Sequence, residues 1–163
     1  MKGALHGAWI LAVASASFFA DRITKSRFFD AFEGAKETGF SYFGGLVQQM
    51  IHKNAGITAN FPLPLSVTVV VTLAALGFVV VIMIHSLQDR AYWRVFFLAI
   101  LLGGALGNLV DRLWLGFVRD WILIGGRSVM NLADFAIILG LLGAYLISRQ
   151  APAPIDPRTQ QTT

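Results

Sequence analysis

The stretch Gly103-Gly104-Ala105-Leu106-Gly107-Asn108-Leu109-Val110-Asp111-Arg112 closes an apolar run that begins at Val95. Its length and small residues read as a membrane helix, yet it finishes in three polar side chains. An ionised group in hydrocarbon costs roughly 2.5–3.5 kcal/mol even on a lenient insertion scale. Gly104, Asn108 and Asp111 follow one another by four and three positions, so they share one helix face. Arg112 lies on the Asn108 side of that helix. Gly103, Gly104, Ala105 and Gly107 are the ordinary sign of close helix packing.

Composition supports the membrane reading. Of 163 residues, 56% are hydrophobic and only 13% charged, where an ordinary soluble domain carries about 25% charge. Mean hydropathy is +0.66. With no cysteine, disulfides, thiolate metal sites and a cysteine nucleophile are excluded. His6, His52 and His85 lack metal-ligand spacing, so no metal site is expected, and the reading as a whole implies no organic cofactor. The net charge of +4 suits anionic headgroups. No basic run with interleaved aromatics points to nucleic acid.

Three further apolar runs complete a four-helix plan. Ala4–Ala20 is short for a span and resembles a signal peptide, but Asp21-Arg22-Ile23-Thr24-Lys25 and more spans follow, so it reads as a retained anchor. Leu65–Ile84 is Val-rich, and its length selects a spanning helix entered after Pro62 and Pro64. The last run extends from about Val129 to Ser148. His85–Arg94 reads as a short polar connection. The long segment 22–61 is expected to hold a small amphipathic or β element on the membrane surface. The expectation is one all-α membrane domain over 1–150, followed by a disordered tail over 151–163. Five basic residues fall on the side of the termini and eight on the other, so charge alone leaves the orientation open.

The polar residues converge. Asn131 and Asp134 share a face at the start of the last helix, antiparallel to the third. The connection between them folds over that end, carries Asp120, and turns at Gly125-Gly126. Asp120 and Asp134 can then meet. Two close carboxylates share a proton, activate a water and protonate a leaving group. Arg112 is expected to hold Asp111 by a bidentate bridge, and Asn108 and Asn131 to orient carboxylates or a substrate carbonyl. Plainer readings of the same residues are an interfacial ion pair at 111–112, an N-cap at Asn131, a solvated loop carboxylate at Asp120 and a dipole-favoured charge at Asp134.

Together, Gly103 to Arg112, Gly116-Phe117-Val118-Arg119-Asp120-Trp121 and Asn131-Leu132-Ala133-Asp134 resemble the signature of the lipoprotein signal peptidase (signal peptidase II) family. Asp21 to Lys25 and Asn54-Ala55-Gly56 are similar to its other motifs, and the resemblance covers roughly residues 4–148. It implies a bacterial intramembrane aspartyl endopeptidase with Asp120 and Asp134 catalytic. It implies a surround of Asn54, Gly56, Gly104, Asn108, Arg112, Asn131 and Ala133, with Asp111 supporting and Asp21 and Lys25 bracing the fold. The implied substrates are diacylglyceryl-modified prolipoproteins, cut before the lipidated cysteine. The implied setting is the inner membrane, contacting its lipids as a monomer, with cytoplasmic termini and the dyad at the outer face. Arg22 stands where the family usually has Gln, and Ile57-Thr58-Ala59-Asn60-Phe61 replaces the usual continuation of the second motif. The stretch from Asp120 to Asp134 is shorter than usual. The alternatives are a non-catalytic lipoprotein-binding relative and a small proton-relay or transport protein. Carboxylates gathered at one end of the helices, with uncharged middles, weigh against a transmembrane proton path.

Overall fold

The computed structural model describes residues 2–33, 39–56 and 63–150. Residues 57–62, with the altered motif and Pro62, and the tail 151–163 lie outside the described residues. The helices are α1 (Lys2–Lys25), α2 (Leu65–Gln88), α3 (Tyr92–Leu115) and α4 (Leu132–Gln150). The strands are β1 (Ser41–Tyr42), β2 (Val47–Asn54), β3 (Val118–Ile124) and β4 (Ser128–Met130), joined in that order into one antiparallel sheet.

Helix α3 is central, packed against α1, α2 and α4. Ile10 and Ala14 of α1, Val79 and Met83 of α2, Val95, Leu98, Ala99 and Leu101 of α3, and Ala144 of α4 form the core. Half of the apolar window of α3 is buried, against 17% for α2 and 22% for α4. The peripheral helices therefore turn apolar side chains outward, among them Val70, Leu73 and Phe78 on α2 and Leu139, Leu141 and Leu142 on α4. In water such faces would be a liability; in lipid they are the solvated surface. These three helices are long and apolar enough to cross a membrane. Helix α1 also has 24 residues, but its last turns carry Asp21, Arg22 and Lys25.

The helices run past the apolar windows into polar turns. Helix α2 continues to Gln88 and α3 starts at Tyr92, so the expected 85–94 connection contracts to Asp89–Ala91. Arg90 takes a left-handed φ of 58° in that turn. Helix α4 begins at Leu132, not near Val129, because Ser128–Met130 pairs as a strand with Ile122–Ile124. The small element expected between α1 and α2 is only half of the sheet. Its β2 pairs with β3, which lies between α3 and α4 in the chain. Gly125 and Gly126, both at positive φ (59° and 65°), make the predicted turn, closed by Arg127 N donating to Ile124 O at 3.1 Å. Such a turn matches the twist of a hairpin and favours glycine.

Beyond Lys25 the first helix widens into one π-helical turn, Ser26–Asp30. It buries Phe29 and stacks Phe28 on Trp121 of β3 with ring centroids 4.4 Å apart. The sheet is thereby fixed to the end of the bundle where α1 stops, α3 stops and α4 starts.

Candidate active site

Helix α4 starts with a reciprocal cap. Asn131 Oδ1 accepts from Asp134 N at 3.1 Å, and Asp134 Oδ2 accepts from Asn131 N at 3.0 Å. This is the capping-box pattern with Asn and Asp in the two roles. Ala133, fully buried, gives its backbone N–H to Asp21 Oδ1 of α1 at 3.0 Å. The cap reading of Asn131 is thus correct, and the same side chain does more: its Nδ2 donates to Asp120 Oδ1 at 2.7 Å.

Asp120 is not a solvated loop residue. It sits on β3, opposite His52 of β2, and is 1% exposed. Side chains of a strand alternate, so Arg119 and Trp121 face the end of α1 while Asp120 faces Asn54 and Asn131. Its Oδ2 accepts from Asn54 Nδ2 at 3.0 Å. On the facing helix, Asp134 Oδ1 accepts from Asn108 Nδ2 at 2.9 Å. All four carboxylate oxygens of the two aspartates therefore have an N–H donor. Burial pushes the Asp120 carboxyl up to about 7, and the negative charge of Asp134 pushes the same way. The amide donors of Asn131 and Asn54 oppose that rise.

Close helix contact brings these groups together. A Cβ on Gly104 would lie 2.8 Å from Ala133 O and 2.9 Å from Ala136 Cβ. Only glycine lets α3 approach the first turn of α4 this closely. One turn on, Asn108 then meets Asp134.

Asn54 ends β2, and its Oδ1 accepts from Gly56 N at 3.1 Å, an Asx-type turn. Gly56 O in turn accepts from Arg112 Nη2 at 3.0 Å, and Arg112 Nη1 donates to Asn108 O. The expected bridge between Arg112 and Asp111 does not form. Adjacent helical residues point about 100° apart, so Asp111 turns toward α1 instead. There it meets Arg22, Lys25 Nζ at 3.1 Å and Arg119 Nη2 at 2.8 Å. Arg119 also pairs with Asp30 at 2.6 Å.

Sequence reasoning gave no role to Arg119 or Asp30. A strand signal was available for Arg119, since Val118–Ile124 is rich in β-branched and aromatic residues ahead of Gly125-Gly126.

A cleft of about 260 Å³ opens onto this site, lined by Asn54, Asn108, Arg112, Asp134, Thr72 and Met130 among others. Apolar walls and a few convergent polar groups are what a ligand site needs. A larger cleft of about 690 Å³ between α1, α3 and α4 is almost wholly apolar and holds no titratable side chain. Its chemistry is that of a lipid-facing surface. Among the described residues no cluster of three or more His, Cys, Asp or Glu side chains is placed to hold a metal.

The chain resembles two solved chains described as bacterial membrane enzyme structures determined in meso. Each has a TM-score of 0.68, with 17% and 20% identity, covering 91% and 90% of this chain and 95% of each of those. At that identity the likeness concerns the fold. A lipoprotein signal peptidase of Rhodococcus jostii (strain RHA1) is 34% identical over 105 residues, 61% of this chain and 52% of that protein. One of Mycobacterium leprae (strain Br4923) is 33% identical over 114 residues, 66% of this chain and 56% of that protein. The chain thus spans about half the length of these curated relatives. The family model for signal peptidase (SPase) II matches residues 13–149, and the chain belongs to that family.

Proposed function

We propose that this protein is the membrane endopeptidase that removes the signal peptide from diacylglyceryl-modified prolipoproteins, cutting just before the lipidated cysteine, with Asp120 and Asp134 as an aspartic dyad. The observation that carries the dyad is the shared cage. Asn131 bonds both carboxylates, and Asn54 and Asn108 each hold one of them from the opposite side. The relatives' name supplies the substrate class.

In this reading the pair holds one proton between its two carboxyls. The ionised carboxylate takes a proton from a water whose oxygen attacks the scissile carbonyl carbon. The protonated carboxyl gives its proton to the carbonyl oxygen. Collapse of the tetrahedral diol breaks the C–N bond: the departing nitrogen takes a proton from one carboxyl while a diol hydroxyl returns its proton to the other, which restores the singly protonated pair. Together with Arg112, a singly protonated dyad leaves the cleft without net charge. The asparagines hold both carboxyls still, so little reorganisation accompanies the proton transfers.

All four helices span the membrane, α1 included. Trp93 and Trp114 are both largely exposed and 21 residues apart on α3, about 31 Å of helix. That is the thickness of a hydrocarbon core with an aromatic at each boundary. Asn108, six residues inside Trp114, then lies about 9 Å below one interface. By the family resemblance that interface is the outer face of the bacterial inner membrane, with the termini in the cytoplasm. The chain works as a monomer, enclosed by membrane lipid.

The test is cleavage by the purified protein in detergent of one precursor in two forms, with and without the diacylglyceryl group. Cleavage of the modified form alone, at the bond before the modified cysteine, is expected. Failure to cut the modified form rejects the assignment.

A further inference from the structure

We propose that Lys25 is a positioning residue that sets the orientation of the Asn108 amide and, through it, the hydrogen bond that Asp134 receives. The inference rests on Asp134 belonging to the catalytic pair.

An asparagine amide has two unlike ends, an oxygen that only accepts and an NH2 that only donates. Each of the three asparagines around the dyad must therefore be keyed so that NH2 faces a carboxylate. For Asn54 the key is Gly56 N on Oδ1 at 3.1 Å, and for Asn131 it is Asp134 N at 3.1 Å. Both are backbone donors a few residues away. Asn108 lies in the body of α3, where the local N–H groups are used by the helix. Its key comes from another element: Lys25 Nζ of α1 donates to Asn108 Oδ1 at 2.8 Å. A flipped amide would set NH2 against the ammonium at 2.8 Å and oxygen against Asp134 at 2.9 Å, two like-with-like contacts in a buried site.

Lys25 is built for this role. It is fully buried, its ammonium donates to Asn108 Oδ1, and it forms ion pairs with Asp21 Oδ2 at 2.8 Å and Asp111 Oδ2 at 3.1 Å. Charge balance at Asp111 does not by itself call for it, since Arg22 and Arg119 already pair with that carboxylate. Asp21 holds the ammonium and also caps Ala133 N at the start of α4. Helix α1 thus reaches Asp134 by two routes, one through the backbone of its own turn and one through Asn108.

The experiment measures kcat and KM on a lipid-modified precursor, with the unfolding midpoint as a fold control. Lys25→Met alone strands the Asp21 carboxylate, so the informative variant is Lys25→Met with Asp21→Asn, referred to Asp21→Asn alone. Outer-shell partners of catalytic groups are worth roughly 10–100-fold. A loss of kcat in that range with KM unchanged is expected, the same for Asn108→Leu, and no further loss when the changes are combined. Losses that multiply, or an unchanged kcat in the Lys25 variant, overturn the proposal. If the Lys25 variants do not fold, Asn108→Asp decides: it still accepts from Lys25 but gives Asp134 no N–H, so kcat must fall, and a wild-type kcat refutes the idea. Asp134→Asn runs alongside. Full activity there means that the aspartic reading itself has failed. An inactive Asp134→Asn beside a fully active Lys25 variant means that only the Lys25 proposal has.

Discussion

Asn131 and Asp120 are joined by one 2.7 Å hydrogen bond, from the residue that caps α4 to the carboxylate on β3. The same asparagine exchanges backbone and side-chain bonds with Asp134. Helix start and carboxylate pair are therefore one structure, and the two roles of Asn131 can be separated by substitution.

Asn131→Ser keeps a capping oxygen but has no NH2 for Asp120. Ser and Asn are near-equal caps, whereas loss of a cap costs about 0.5–2 kcal/mol. The expected result is a kcat reduced about tenfold or more, with an unfolding midpoint well above that of Asn131→Ala. Equal activity in Asn131→Ser and the wild type would show that Asp120 does not depend on this donor.

The raised carboxyl of Asp120 makes a pH prediction with a definite sign. The folded group titrates at about 7 against an ordinary 3.8. Between those values the folded state keeps a proton that the unfolded chain has lost. Its contribution to stability is full below about 3.8 and is lost as pH rises through about 7. Asp120→Asn removes that slope, so the difference in unfolding midpoint, variant minus wild type, grows from pH 5 to pH 8. A difference that stays flat over this range contradicts the assignment. In cleavage assays the same proton sets an alkaline limb near pH 7 on kcat/KM, which reports the free enzyme.

The end of α1 should answer to Asp111. Asp111→Ala leaves Lys25, fully buried, and Arg119, 5% exposed, without their shared carboxylate. Removing one partner of a buried pair costs about 3–5 kcal/mol. The variant is expected to unfold well below the wild type in detergent, while Arg22→Gln, half-exposed and one of three cations on Asp111, shifts the midpoint little. Equal effects of the two changes would contradict the network.

The helix seam predicts a steric effect. Gly104→Ala places its methyl against the Ala133 carbonyl, a backbone atom that cannot swing aside. Overpacking costs about 1–3 kcal/mol, and the shift passes to the Asn108–Asp134 bond one turn away. Both thermal stability and kcat are expected to drop. An unchanged kcat would mean that the site tolerates a wider seam.

The sequence made parts of this arrangement readable and hid others for physical reasons. The lengths of the apolar runs announced α2, α3 and α4, and the spacing of Asn131 and Asp134 announced a helix start with both residues on one side. The helix ends ran further, because turns such as Asp21–Lys25 and Ser86–Gln88 are polar and invisible to an apolar window. Strand β3 was missed because Val118, Arg119, Asp120 and Trp121 are all buried, so no period-two alternation marks it. Its partner β2 lies more than sixty residues earlier, where local pattern carries no information about pairing. The partners of Asp111 were misread for a related reason. Adjacency in the chain suggested Arg112, while the fold brings in Arg22, Lys25 and Arg119.

The most direct test of the aspartic account is single-turnover cleavage of a diacylglyceryl-modified precursor by the purified wild type, Asp120→Asn and Asp134→Asn, each shown to be folded. The account predicts that both substitutions abolish cleavage while the precursor still binds. Cleavage at the wild-type rate by either variant would contradict it.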